Sequence, residues 1–164
     1  MVTKKKPDLE LMNDKSPNLR REVAERIASE GGAFASEHLP KMMNDKDWGV
    51  RWKVARGIGV EHLPMMMNDK NPDVREEVAK RIGIEHLPKM MNDEDPFVCV
   101  EVARRIGVEH LPMMMNDEDS DVRLKVAERI DPKFLGEMFG FDFSPEYQKG
   151  LIKILAKRED LRRV

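Results

Sequence analysis

Apolar residues return along this chain in two alternating patterns. The shorter places Leu63, Met66 and Met67 at i, i+3 and i+4, one stripe along a short helix. The longer places Val74, Val78, Ala79 and Ile82 at i, i+4, i+5 and i+8, the inner face of a second helix. Asn68-Asp69-Lys70-Asn71 separates the two. The pair recurs with a 24-residue period, and Glu-His-Leu-Pro opens the shorter helix at 37–40, 61–64, 85–88 and 109–112. A unit this small cannot bury its own apolar face, so neighbouring units must stack.

Each longer helix opens on a capping residue. Proline at the first helical position follows in Ser16-Pro17, Asn71-Pro72 and Asp95-Pro96, while Asp47 and Asp119 precede Trp48 and Ser120. Gly59, Gly83 and Gly107 are expected to stop these helices. The first repeat departs from the period. Residues 27–37 carry a seven-residue insertion with Gly31-Gly32, read as a longer surface loop with a binding loop as the sharper option. After Ile130 the pattern changes. A short apolar helix over 131–138 leads to Phe139-Gly140-Phe141-Asp142-Phe143, and Ser144-Pro145 starts a last amphipathic helix. That segment reads as a terminal cap, with 161–164 fraying. The organisation expected is a basic flexible tip at 1–6, a helical repeat solenoid at 7–135 and a capping helix region at 136–164.

Charge alters this picture little. The 164 residues hold 29 basic and 31 acidic side chains, a net −2 that gives no general attraction to nucleic acid or to an anionic membrane. The lone Cys99 excludes an intramolecular disulfide and an all-cysteine metal site, and fits a reducing cytoplasm. No apolar run follows the basic tip as in a signal peptide, and none approaches the ~20 residues of a membrane span.

Aspartate and arginine are paired in register as Asp45/Arg51, Asp69/Arg75 and Asp117/Arg123. At 100° per residue the arginine falls on the inner face. The expectation is therefore a structural ladder of partly buried, bidentate ion pairs linking turns and repeats. The residues Asp69-x-x-x-x-Val74-Arg75-x-x-Val78-Ala79, repeated at 45–55 and 117–127, resemble the leucine-rich repeat variant family, whose repeats also run 24 residues. Leu19-Arg20 and Val98-Cys99 are the departures. HEAT repeats share the pattern but run to about 40 residues. The resemblance implies a right-handed superhelix in which α-helices alternate with shorter, often 3₁₀, helices. The cysteine-rich iron–sulfur segment of some members has no counterpart here. The fold class expected is all-α: a short right-handed α-solenoid of five two-helix (α/3₁₀) repeats with a C-terminal helical cap.

Candidate chemistry is sparse. His38, His62, His86 and His110 form one column, but stacked helices lie about 8–10 Å apart and zinc ligands about 2 Å from the metal. They read as starters of the short helices. The Asn-Asp-x-Asp clusters lack the central glycine and distal glutamate of a calcium loop. Cys99 stands in the arginine column as a small buried filler, with no activating base in reach. No catalytic, cofactor or metal residues are assigned, and a non-enzyme is expected.

What remains is surface. One edge sets twelve acidic residues, Asp93, Glu94 and Asp95 among them, against Lys15, Lys46 and Lys70. Trp48, Trp52 and Phe97 stand at outward positions and are expected to form one apolar patch, with Val100 and Leu124 on its flank. These residues and the acidic edge point to a protein or peptide partner. Self-association through the patch is a competing use. Nucleic-acid binding, with base-directed chemistry as in some helical-repeat glycosylases, is the second class, opposed by the net charge.

Overall fold

A computed structural model of the chain describes residues 9–142 and 144–158. The expectations for 1–6, Phe143 and 161–164 lie outside the described residues. The chain divides into two compact units, Met1–Gly83 and Ile84–Val164. Among the described residues there is no strand.

The first unit runs through a 3₁₀ turn (Leu9–Asn13), α1 (Pro17–Glu30), α2 (Gly32–His38), a 3₁₀ turn (Leu39–Met42), α3 (Trp48–Gly57), a 3₁₀ helix (Val60–Met66) and α4 (Pro72–Arg81). Helix α3 packs against both α1 and α4. The second unit holds 3₁₀ helices Ile84–Lys89, Val108–Met113 and Pro132–Phe134, with α5 (Pro96–Arg105), α6 (Ser120–Ala127), α7 (Leu135–Phe141) and α8 (Pro145–Leu155). Here α6 packs against α5 on one side and α8 on the other.

The short helices are 3₁₀ for a local reason. Proline sits inside three of them, at Pro64, Pro88 and Pro112, where it has no N–H to donate and would break a longer α-helix. The tighter i→i−3 bonding suits such a run, as from His62 N–H to the Gly59 carbonyl at 3.0 Å.

The predicted stripes form the core. Val54, Ala55 and Ile58, Val78, Ala79 and Ile82, Val102, Ala103 and Ile106, and Val126, Ala127 and Ile130 are all fully buried. So are Leu39, Leu63, Leu87 and Leu111 of the short helices. Each such valine, leucine or isoleucine contributes roughly 1.5–3 kcal/mol of transfer free energy.

Two local expectations need correction. Gly59 and Gly107 do not stop helices through left-handed geometry: their φ values are −60° and −56°. The helices end one residue earlier, where Ile58 and Ile106 turn extended while staying buried in the core. Positive φ occurs, among the described residues, only at Gly31 and Gly32.

The insertion, in turn, is not a loop. It lengthens α1 to 14 residues, turns at Gly31 (φ 66°) and forms α2. The longer α1 lies so close to α3 that a Cβ on Gly57 would stand 2.3 Å from the Ala28 Cβ. That contact accounts for a glycine at the place held by arginine at 81, 105 and 129.

Candidate functional site

The acidic edge is built first from the loops before each long helix. The Asp45, Asp69, Asp93 and Asp117 carboxylates each accept the backbone N–H two residues on, at 2.8–2.9 Å. The residue thus fixed is the helix cap. Asp47 accepts from Val50, Asn71 from Val74, Asp95 from Phe97, and Asp119 from Asp121 and Val122. Ser16 and Ser144 occupy the same position without a side-chain cap bond, although Asp14 and Asp142 still accept their N–H groups. The acids that resemble calcium-loop fragments are helix-capping pairs.

The ion-pair ladder is displaced by one repeat from the pairing read in the sequence. Arg51 does not fork the Asp45 carboxylate. It donates one Nη1–H to the Asp45 carbonyl at 2.7 Å and forks the carboxylate of Asp69, in the next repeat, at 2.6 and 2.8 Å. Arg20 does the same to Asp14 and Asp45. Arg75 bonds the carbonyl of Asp69, its expected partner, rather than its carboxylate. Arg123 bonds the Asp117 carbonyl and reaches forward to Asp142. The reason is reach: the arginine springs from the helix beyond its own loop, so its fork faces the following loop.

Burial raises the Asp69 carboxyl, but the Arg51 fork, the Asn71 N–H and the charge of Arg75 outweigh it and hold the group below the usual carboxylate range. Asp45 is lowered in the same way, against its burial, by Arg20 and the Asp47 N–H.

The region read as a cap follows the same scheme. Asp142 receives Arg123 through Nη2, where Asp69 receives the Nε/Nη2 fork of Arg51, and Arg158 donates to the Ala127 and Ile130 carbonyls. Arg81 makes the equivalent bonds to Ala55 and Ile58, and Arg129 to Ala103 and Ile106. This second arginine ladder is absent from the sequence reading; its signal is the 24-residue recurrence of arginine just before Ile82, Ile106 and Ile130. These guanidinium groups satisfy helix-end carbonyls and leave no row of cations for phosphate.

Cys99 interrupts the first ladder. Its thiol donates to the Asp93 carbonyl at 3.2 Å, one of the bonds an arginine makes there. Burial, helped by the charges of Asp117 and Asp93, pushes the thiol up to about 11, so the thiolate is scarce at neutral pH.

Each histidine sits beside the glutamate that precedes it, with N···O distances of 3.5–3.8 Å. His38 also meets Phe34 edge-on at 4.5 Å. Among the described residues no three side chains gather as metal ligands.

The apolar surface residues occur in both units. Trp48, 45% exposed, lies under Arg21, which also forks Asp47 at 2.8 Å. Trp52 is half-buried, with Lys53 and Arg56 each 5.3 Å from its ring centre. Both belong to the first unit. Phe97, Val100 and Leu124 belong to the second and do converge. They line a groove of about 480 Å³ between α5, α6 and α8, together with Gly150 and Ile154. Phe97 is 67% exposed at its mouth. Leu124 is no free flank residue. A Cβ on Gly150 would come within 2.9 Å of it, so glycine lets α8 close down on the groove floor. Asp93 and Glu94 line a neighbouring acidic hollow, and Asp95 is committed to capping α5.

Long helices alternating with 3₁₀ helices at a 24-residue period define a helical-repeat protein. A solved structure described as a leucine-rich repeat variant with a novel repetitive protein structural motif matches 87% of this chain at 31% identity and a TM-score of 0.76. In repeat sequence and in fold, this chain is a leucine-rich repeat variant; it spans 58% of that protein's length. The complex of CpcE and CpcF of phycocyanin lyase from Nostoc sp. PCC7120 aligns over 89% of this chain and 94% of the other, at 15% identity and a TM-score of 0.41, too distant to carry an argument. No family model and no curated protein matches the chain.

Proposed function

We propose that this chain is a non-enzymatic interaction module that holds a peptide segment of a protein partner in the groove between α5, α6 and α8. The observation that carries the reading is Phe97, a large aromatic standing two-thirds exposed over an apolar-floored groove. A helical-repeat framework supports it, because such stacks present side chains from successive units as one binding surface. Nucleic acid fits less well, since Arg81, Arg129 and Arg158 are engaged by carbonyls. No described helix is long and apolar enough to cross a membrane.

Panning a random-peptide display library on the intact chain tests the proposal. Peptides sharing an apolar anchor should be enriched on the wild type and lost on Phe97→Ser, with the two proteins melting alike. Equal recovery on both would remove the groove from consideration. A wild type that elutes as a dimer dissociated by Phe97→Ser would replace the peptide with a second copy of the chain.

A further inference from the structure

The groove beneath Phe97 shares two walls, Pro96 and Asp119, with a second hollow of about 660 Å³. Asp93, Glu94, Cys99, Asp117 and Glu118 line that hollow, and no lysine or arginine does. A hollow two periods earlier, in the first unit, shows what the repeat ordinarily places there. Asp45 stands for Asp93, Lys46 for Glu94, Arg51 for Cys99, Asp69 for Asp117 and Lys70 for Glu118. All three cations of the earlier hollow are gone in the later one, replaced by two glutamates and a thiol.

The carboxylate left behind is otherwise the same. Asp117 accepts the Asp119 N–H at 2.9 Å, as Asp69 accepts that of Asn71. Asp69 also receives the Arg51 fork, whereas Asp117, among the described residues, has no ion pair. The hollow is therefore lined by negative side chains, open, and bounded in part by the same two residues, Pro96 and Asp119, as the apolar groove.

Resting on the docking proposal above, we infer that the partner segment carries an arginine next to its apolar anchor, and that this arginine forks Asp117 in the rung that Cys99 leaves open. Charge complementarity selects a cation. The carboxylate geometry, which takes a planar fork at Asp69, selects guanidinium over ammonium.

N-acetyl-arginine amide tests this without the groove. Titrated into the isotope-labelled full chain, it should shift the backbone amides of residue 99 and residues 117–119, while N-acetyl-citrulline amide should not. The shifts should vanish in Asp117→Asn, which keeps an acceptor for the Asp119 N–H. They should vanish too in Cys99→Arg, which supplies the fork from within the chain. Among displayed peptides, replacing the arginine by citrulline should weaken binding to wild type about tenfold or more and leave binding to Cys99→Arg unchanged.

Absence of arginine shifts, equal shifts with citrulline, or shifts given by calcium chloride instead would each overturn the inference. The docking proposal is judged separately, by the loss of binding in Phe97→Ser.

Discussion

Arg51 and Asp69 sit in successive repeats, and the arginine holds both: its fork grips Asp69 while its remaining nitrogen grips the Asp45 carbonyl. The two side chains are 14% and 8% exposed, so solvent does little to screen the pair.

Asp69→Asn keeps an acceptor for the Asn71 N–H but leaves the Arg51 charge without its carboxylate. The expected loss is about 3 kcal/mol, read from urea unfolding. Arg51→Met should cost a similar amount, and the double variant less than the sum of the two. Strict additivity would mean that the pair contributes nothing as a pair.

Acid should weaken the fold through the same residues. Asp45 and Asp69 titrate below their ordinary value in the folded chain. Their contribution is therefore complete above the unfolded value of about 4 and is lost as pH falls through the lower folded value. Urea midpoints should hold between neutrality and about pH 5 and drop below it. Asp69→Asn should flatten that drop; a profile identical to wild type would assign the acid sensitivity to other carboxylates.

Cys99 should resist thiol reagents. Its side chain is 2% exposed and its thiol is pushed up to about 11. At neutral pH a chromogenic disulfide reagent should modify it only on the timescale of unfolding, and at once in urea. Rapid modification of the native chain would show that the hollow opens far enough to expose the sulfur.

The glycines should divide by what lies over them. Gly57→Ala drives a Cβ into Ala28 of the neighbouring helix and should cost roughly 1–3 kcal/mol. Gly59→Ala meets only the Glu61 carboxylate, at the end of a flexible side chain, and should melt within a few degrees of wild type. The reverse order, measured by thermal melts, would contradict the close approach of α1 to α3.

The apolar pattern was sufficient for the fold because Val78, Ala79 and Ile82 have no role except burial, and periodicity reports burial directly. The arginine partners were not readable in that way. Spacing located Arg51 on the inner face, but whether its fork met Asp45 or Asp69 depended on side-chain reach across a loop. The helix within the insertion is not legible, because Gly31-Gly32 marks a turn equally well inside a loop or between two helices. Outward positions mark Trp52 and Leu124 as surface residues but do not reveal that Lys53 and Arg56 cover the Trp52 ring, or that Gly150 brings α8 down beside Leu124.

The offset between arginine and carboxylate bears on how such a chain can grow or shrink. A repeat that carries its arginine, copied in tandem, brings one donor facing forward and one acceptor facing back, so the new junction is complete however many such copies precede it. Removal of a full period rejoins a donor to an acceptor in the same way. Recombination within the coding sequence can thus change the number of repeats without stranding a charge, provided that it keeps the 24-residue phase.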